Sequence, residues 1–127
     1  MIDSPEHNQI AYEAAQKSMV LLKNQAFLPL SKDIQSIAVI GPNAASIEAL
    51  QGNYFGTASK YVTYLSGIQE AMKDQGRVFF AKGCHLYNEC AESVLSRPHE
   101  RESEAIIAAK HADVAVLCLG LDPTIEG

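Results

Sequence analysis

A chain of 127 residues is long enough for one ordinary domain with a real core, and 47% hydrophobic with 20% charged residues is a globular rather than a disordered composition. The net charge of −5 and ten Lys and Arg scattered singly leave no basic face for phosphates, which excludes nucleic acid as an expected partner. No apolar run approaches the ~20 residues needed to cross a bilayer, so no membrane span is expected, and MIDSPEHNQ lacks the basic start and apolar middle of a signal peptide.

In chain order, Asp3, Ser4 and Pro5 read as a helix start, because a serine hydroxyl can cap the first amides and proline is harmless at the first helical position. Ile10, Ala11, Ala14, Ala15, Ser18, Leu21 and Leu22 then recur every three or four residues. The small size of the alanines predicts close packing on a sheet. MVLLKN and FLPL are apolar runs separated by Asn24 and Gln25, and predict two short strands that pair across a turn. SIAVIGPNA carries four apolar residues, Ile37 to Ile40, ahead of Gly41 and Pro42, the pattern of a buried strand feeding a loop at its carboxyl end. Residues 44–50 suggest a short helix.

QGNYFGTASKYVTYL is rich in Gly, Tyr and Asn and reads as a structured loop. Leu65, Ile68, Ala71 and Met72 restore a helix that ends at Gln75 and Gly76, and RVFFA predicts a second buried strand before Gly83. Residues 83–101 are polar, contain Pro98, and read as an exposed connection. From Arg101 a helix is expected with Ala105, Ile106, Ala108, Ala109 and Ala112 facing inward, followed by DVAVLCLG as a third buried strand. Alternating helices and apolar strands imply an α/β fold, a mainly parallel sheet flanked by helices in three layers.

That architecture gives the last stretch, LCLGLDPTIEG, a meaning. In open α/β sheets ligands sit beyond the carboxyl ends of the strands, and GLDPTIEG is the loop leaving such an end. Glu126 is thereby a candidate for chemistry, as are Asn53 and Tyr54 less directly; a solvated loop glutamate is the other reading. Weaker constellations are set aside. A lone Gly41 lacks the further glycines and the lysine of phosphate-binding loops. Cys84, His85, Cys90 and His99 have spacings that fit no common zinc site, so no metal is expected. No serine sits in a GxSxG elbow, and His7 is expected to be structural. Three cysteines, Cys84, Cys90 and Cys118, without the close spacing of a stapled domain, read as thiols of a reducing compartment, so a cytoplasmic location is expected, with a secreted parent as the alternative.

AYEAAQKSMVLLKNQAFLPL, IAVIGPNA, LQGNYFG and AKHADVAVLCLGLDPTIEG, in this order, together resemble the second domain of glycoside hydrolase family 3. GLDPTIEG looks more like the β-xylosidase-like branch than the β-glucosidase branch, which often carries an SGEG-like form there. The resemblance covers nearly the whole chain and implies an (α/β)6 sandwich, here its first part, beside a (β/α)8 barrel. It further implies a retaining mechanism. A barrel aspartate attacks the anomeric carbon, and a sandwich glutamate, Glu126 by the TIEG segment, protonates the leaving oxygen and later activates water. Tyr54 in GNY resembles a residue that reaches the sugar site, and Asn53 would support its loop.

Residues 1–127 are thus expected to be a partial sandwich domain without its catalytic barrel, inactive alone and needing no cofactor. Its partners would be a β-xyloside or β-glucoside and the barrel of the same protein. Met1 and Gly127 are expected to be boundaries drawn within a longer chain, with an open sheet edge and exposed apolar surface that invite self-association. A stand-alone α/β binding module, gripping a ligand with Tyr54 and the 41–56 loop, is the alternative.

Overall fold

The structure, a computed structural model, describes residues 3–52, 54–86, 99–123 and 125. The chain divides into two units, Met1–Lys32 and Asp33–Gly127.

In the first unit helix α1 spans Pro5–Ser18. Ser4 caps it by accepting the His7 amide at 3.4 Å, Pro5 opens the first turn with Glu6, and Lys17 lies in the last, where charge complements the helix dipole. The exposed side is laced by Gln9 to Glu13 and Gln16 to Tyr12 bonds at 2.9 and 3.0 Å. The helix stops before Leu21 and Leu22, and no residue of α1 is buried, so the expected close packing of its alanine stripe is not found. Short side chains at 11, 14 and 15 offer little apolar area, and Ile10 is exposed.

The two paired strands expected at 19–24 and 27–30 are also absent. The Asn24 side chain occupies the groups that a ladder would use. Its Oδ1 accepts the amides of Phe27 and Leu28, both at 3.0 Å, and its Nδ2 donates to the Leu28 carbonyl at 2.8 Å. With Ala26 at φ +59° the segment is a side-chain-stapled turn, and Met19 to Leu22 stand exposed.

The second unit holds a three-stranded parallel sheet in the order β2-β1-β3, formed by β1 (Ser36–Ile40), β2 (Arg77–Ala81) and β3 (Val114–Leu117). Ala38 lies opposite Phe79 and Ala115, and Ile40 opposite Ala81 and Leu117. Helix α2 spans Tyr64–Met72 and α3 spans Glu102–Lys110. The crossover through α2 runs from β1 to one side and that through α3 returns past β1 to the other. Right-handed crossovers then put the two helices on opposite faces, which is the layered α/β sheet the sequence predicts.

Each element has a local cause. Thr63 and Ser66 form a reciprocal capping box at the start of α2, and the amides of Gln75 and Gly76 close its last turn on the Met72 carbonyl. Residues 44–50 give only a 3-10 turn, Glu48–Leu50, after Ser46 Oγ accepts the Ala49 amide. At the start of α3, Arg101 grips Glu104 with two bonds of 2.8 and 3.1 Å, and Glu104 also accepts the Gly83 amide at 2.9 Å. These partners, the Arg101 guanidinium first, hold the Glu104 carboxyl below its ordinary range.

Burial is concentrated on β1, where Ile37 to Ile40 are all buried because, among the described strands, this one has a neighbour on each side. Burying the Ile37, Val39 and Ile40 side chains contributes about 1.5–3 kcal/mol each. One face packs on α3 through Ala38, Ile40, Ala81 and Ala108, with Phe79, Ala105 and Ala112 around them. The inward face of α3 is therefore narrower than expected. Ile106 and Ala109 are exposed, since only the 105, 108, 112 row meets β1 and β2. Nor are the outer strands fully buried as predicted. Phe80 on β2 and Ala115 and Leu117 on β3 are exposed, because each edge strand has one neighbour and partial cover.

At the amino ends of the strands, Asp113 ties β3 to β1. Its Oδ2 accepts the Gln35 amide at 3.0 Å, and the Ser36 amide and hydroxyl at 2.9 Å each. The Gln35 amide and then the Ser36 hydroxyl lower the Asp113 pKa from its ordinary 3.8. A depressed carboxyl contributes stability above its unfolded value and loses it as pH falls through the folded value. Asp113→Asn should therefore melt below the parent at neutral pH, with the gap closing only as pH falls below 3.8. A gap that is equal at pH 7 and pH 2 in thermal melts would contradict an ionised clamp.

Candidate functional site

At the carboxyl ends of the strands the chain of β1 passes between its neighbours. The Gly41 amide donates to the Ala81 carbonyl at 3.1 Å, and the Cys118 amide donates to the Ile40 carbonyl at 2.7 Å. Gly41 takes φ +135°, and a Cβ there would stand 2.1 Å from the Cys118 carbonyl oxygen. Only glycine lets the two backbones approach so closely.

The loop after β1 and the loop after β3 are then joined. The Asn43 amide donates to the Cys118 carbonyl at 3.3 Å, and the Ala44 carbonyl accepts the Leu65 amide at 2.8 Å, which brings the start of α2 to the same end. Asn43 and Ala44 are buried. Burial also pushes the Cys118 thiol up. Further out, the amide of Glu48 and the Ser46 hydroxyl lower the Glu48 carboxyl, while the charge of Asp122, beyond β3, acts in the opposite sense.

Residues 51–63 contain no helix or strand among those described, in keeping with the loop read from their composition. Tyr61 Oη closes this loop by accepting Gln51 Nε2 at 3.2 Å and the Ala58 amide at 3.1 Å. Tyr54 is fully exposed to solvent, and Phe55 beside it is also exposed. Glu126 and Asn53 lie outside the described residues. Of the predicted site residues the structure therefore describes Tyr54 alone.

Asn43 and Gly120 were not singled out by sequence reasoning, although both stand in quoted motifs. An asparagine two residues past a strand-end glycine is an ordinary loop residue until its burial is seen. Of the residues weighed as a zinc site, Cys84 is exposed and free, His99 faces the Glu102 carboxylate, and Cys90 lies outside the described residues. No group of three or more potential metal ligands occurs among the described residues, and no described helix is long and apolar enough to cross a membrane.

A parallel sheet flanked by helices, with glycine-tight joints at its carboxyl edge, defines a domain of the open α/β class, in which ligands generally sit beyond the carboxyl ends of the strands. Residues 19–127 match the family model described as the glycosyl hydrolase family 3 C-terminal domain, and the chain belongs to that family. It is 45% identical over 117 residues to the exo-1,4-beta-xylosidase xlnD of Emericella nidulans, an alignment covering 92% of this chain and 13% of that protein. It is 38% identical over 133 residues to the periplasmic beta-glucosidase of Salmonella typhimurium, covering 93% of this chain and 17% of that one.

Among solved structures, a family 3 exo-beta-xylosidase, XlnD, bound to a xylobiose aziridine probe superposes with a TM-score of 0.79 at 39% identity, over 96% of this chain and 16% of that one. The Bifidobacterium adolescentis family 3 beta-glucosidase superposes with a TM-score of 0.77 at 35% identity, over 100% of this chain and 17% of that one. The chain thus spans less than a fifth of the length of these relatives.

Proposed function

We propose that this chain serves a retaining, exo-acting β-glycosidase, xylosidase-like in its specificity, as the part that carries the general acid/base. Terminal β-xylosides or β-glucosides are the substrates, and a barrel domain of the same protein supplies the carboxylate nucleophile. The observation that carries the reading is the joint of Gly41, Asn43 and Cys118, which ties the loop after β3 to the carboxyl edge of the sheet. Glu126 follows β3 in the sequence. Family membership and the names of the relatives support the reaction class.

Retention needs two carboxyl groups about 5 to 5.5 Å apart, one ionised to attack and one protonated to donate. Glu126 gives its proton to the departing glycosidic oxygen as the covalent sugar ester forms, and then takes a proton from the water that cleaves the ester. Tyr54 offers a ring face to the sugar, and Asn53 steadies its loop. Without the nucleophile, the acid has no ester to resolve, so the 127 residues alone are inactive.

The test is a panel of aryl β-xylosides, β-glucosides and α-arabinosides offered to the 127-residue chain and to the full-length protein. Turnover by the longer protein alone, fastest on xylosides, is the expected result. Hydrolysis by the isolated chain would overturn the division of labour, and a preference for glucosides would reassign the branch.

A further inference from the structure

Asn43 is the one polar residue that is buried among those described, only 7% exposed, and among them its Oδ1 has no hydrogen-bond partner. Buried amide oxygens are ordinarily paired, and one left unpaired lowers stability. An apolar side chain would fill the same place without that penalty. The amide is also specifically located. Its Nδ2 stands 3.1 Å from the point that a Cβ on Gly120 would occupy, so it packs against the bare backbone of Gly120. Its own backbone amide donates to the Cys118 carbonyl, two residues before Gly120.

We propose that Asn43 is the positioning residue of the acid/base loop, an inference that rests on the assignment of Glu126 as proton donor. Two points of contact, backbone to Cys118 and side chain to Gly120, set the path by which the chain leaves β3. The unpaired carbonyl remains available for an N–H of the loop beyond Gly120 in the working complex. Asn43 touches no reacting atom. It acts through the direction it imposes on Glu126, and a small misdirection of an acid is enough to slow proton transfer severely.

The experiment measures kcat/KM of the full-length protein on aryl glycosides whose leaving groups range from strongly to weakly acidic, together with thermal melting, for Asn43→Ala, Gly120→Ala and Glu126→Ala. Asn43→Ala should lose on the order of 10- to 100-fold on the least activated substrates and little on the most activated, while melting no lower than the parent. Gly120→Ala, whose Cβ must push the amide by a few tenths of an ångström, should show the same pattern in milder form. Equal slowing of all substrates by Asn43→Ala, or no slowing, would overturn the positioning role while a steep dependence for Glu126→Ala left the proton donor in place. A flat dependence for Glu126→Ala would remove the proton donor, and the positioning role with it. Should Asn43→Ala fail to fold, Gly120→Ala decides by the same criterion.

Discussion

Glu126→Ala in the full-length protein is expected to reduce kcat/KM for poorly activated aryl glycosides by on the order of 10²–10⁴-fold, the usual contribution of a positioned general acid. The reason is specific to the first chemical step. A weakly acidic phenol or an alkanol cannot leave as its anion at a useful rate, so the proton must arrive as the bond breaks. A strongly acidic phenol leaves unaided, and kcat/KM on such substrates should stay near the parent value. The second step also needs Glu126, because water must lose a proton as it attacks the sugar ester. A small anion such as azide needs no base and should restore turnover of activated substrates as the glycosyl azide. Equal rates for variant and parent across the series would take Glu126 out of the mechanism.

Gly41→Ala is expected to disrupt the domain, costing about 3 kcal/mol or more, at the upper end of backbone-strain effects. The new methyl would meet the Cys118 backbone carbonyl oxygen at 2.1 Å, one residue past the point where β1 and β3 stop pairing. No rotamer change relieves such a contact. Either β3 separates from the end of β1 or the φ of +135° collapses, and each breaks the bond from the Cys118 amide to the Ile40 carbonyl. Gly52→Ala is the matched control, since nothing lies within 4 Å of its added methyl, and it should stay within about 0.5 kcal/mol of the parent. Thermal melting and soluble yield of the two variants read the difference. A Gly41→Ala protein that melts with the parent would mean that the strand-end joint is looser than these contacts imply.

Local chemistry explains which readings succeeded. Ser4 and Pro5 marked the start of α1, and the runs SIAVI, RVFFA and VAVL marked three strands, because capping hydroxyls and apolar runs act over a few residues. The strands predicted from MVLLKN and FLPL failed at a single side chain. Asn24 was read as a tolerant turn residue, whereas it binds three backbone groups and leaves none of them for a ladder. Ile106 and Ala109 were read as buried because helical period identifies a stripe but not how much sheet lies beneath it.

From the sequence alone came the family, through GPNA, GNY and TIEG in their order, and with it the nomination of Glu126, Tyr54 and Asn53. The alternation of helix and strand that makes an α/β sheet was also legible there, since a short apolar run and a 3.6-residue period are properties of neighbouring positions. Only the tertiary structure decided the strand order β2-β1-β3, and therefore that β1 is the buried strand and that the loops after β1 and β3 touch. Gly41 and Asn43 owe their meaning to Cys118 and Gly120, far along the chain. A contact between such distant positions leaves no local pattern, because it arises when strands pair and backbones close to within a few ångströms.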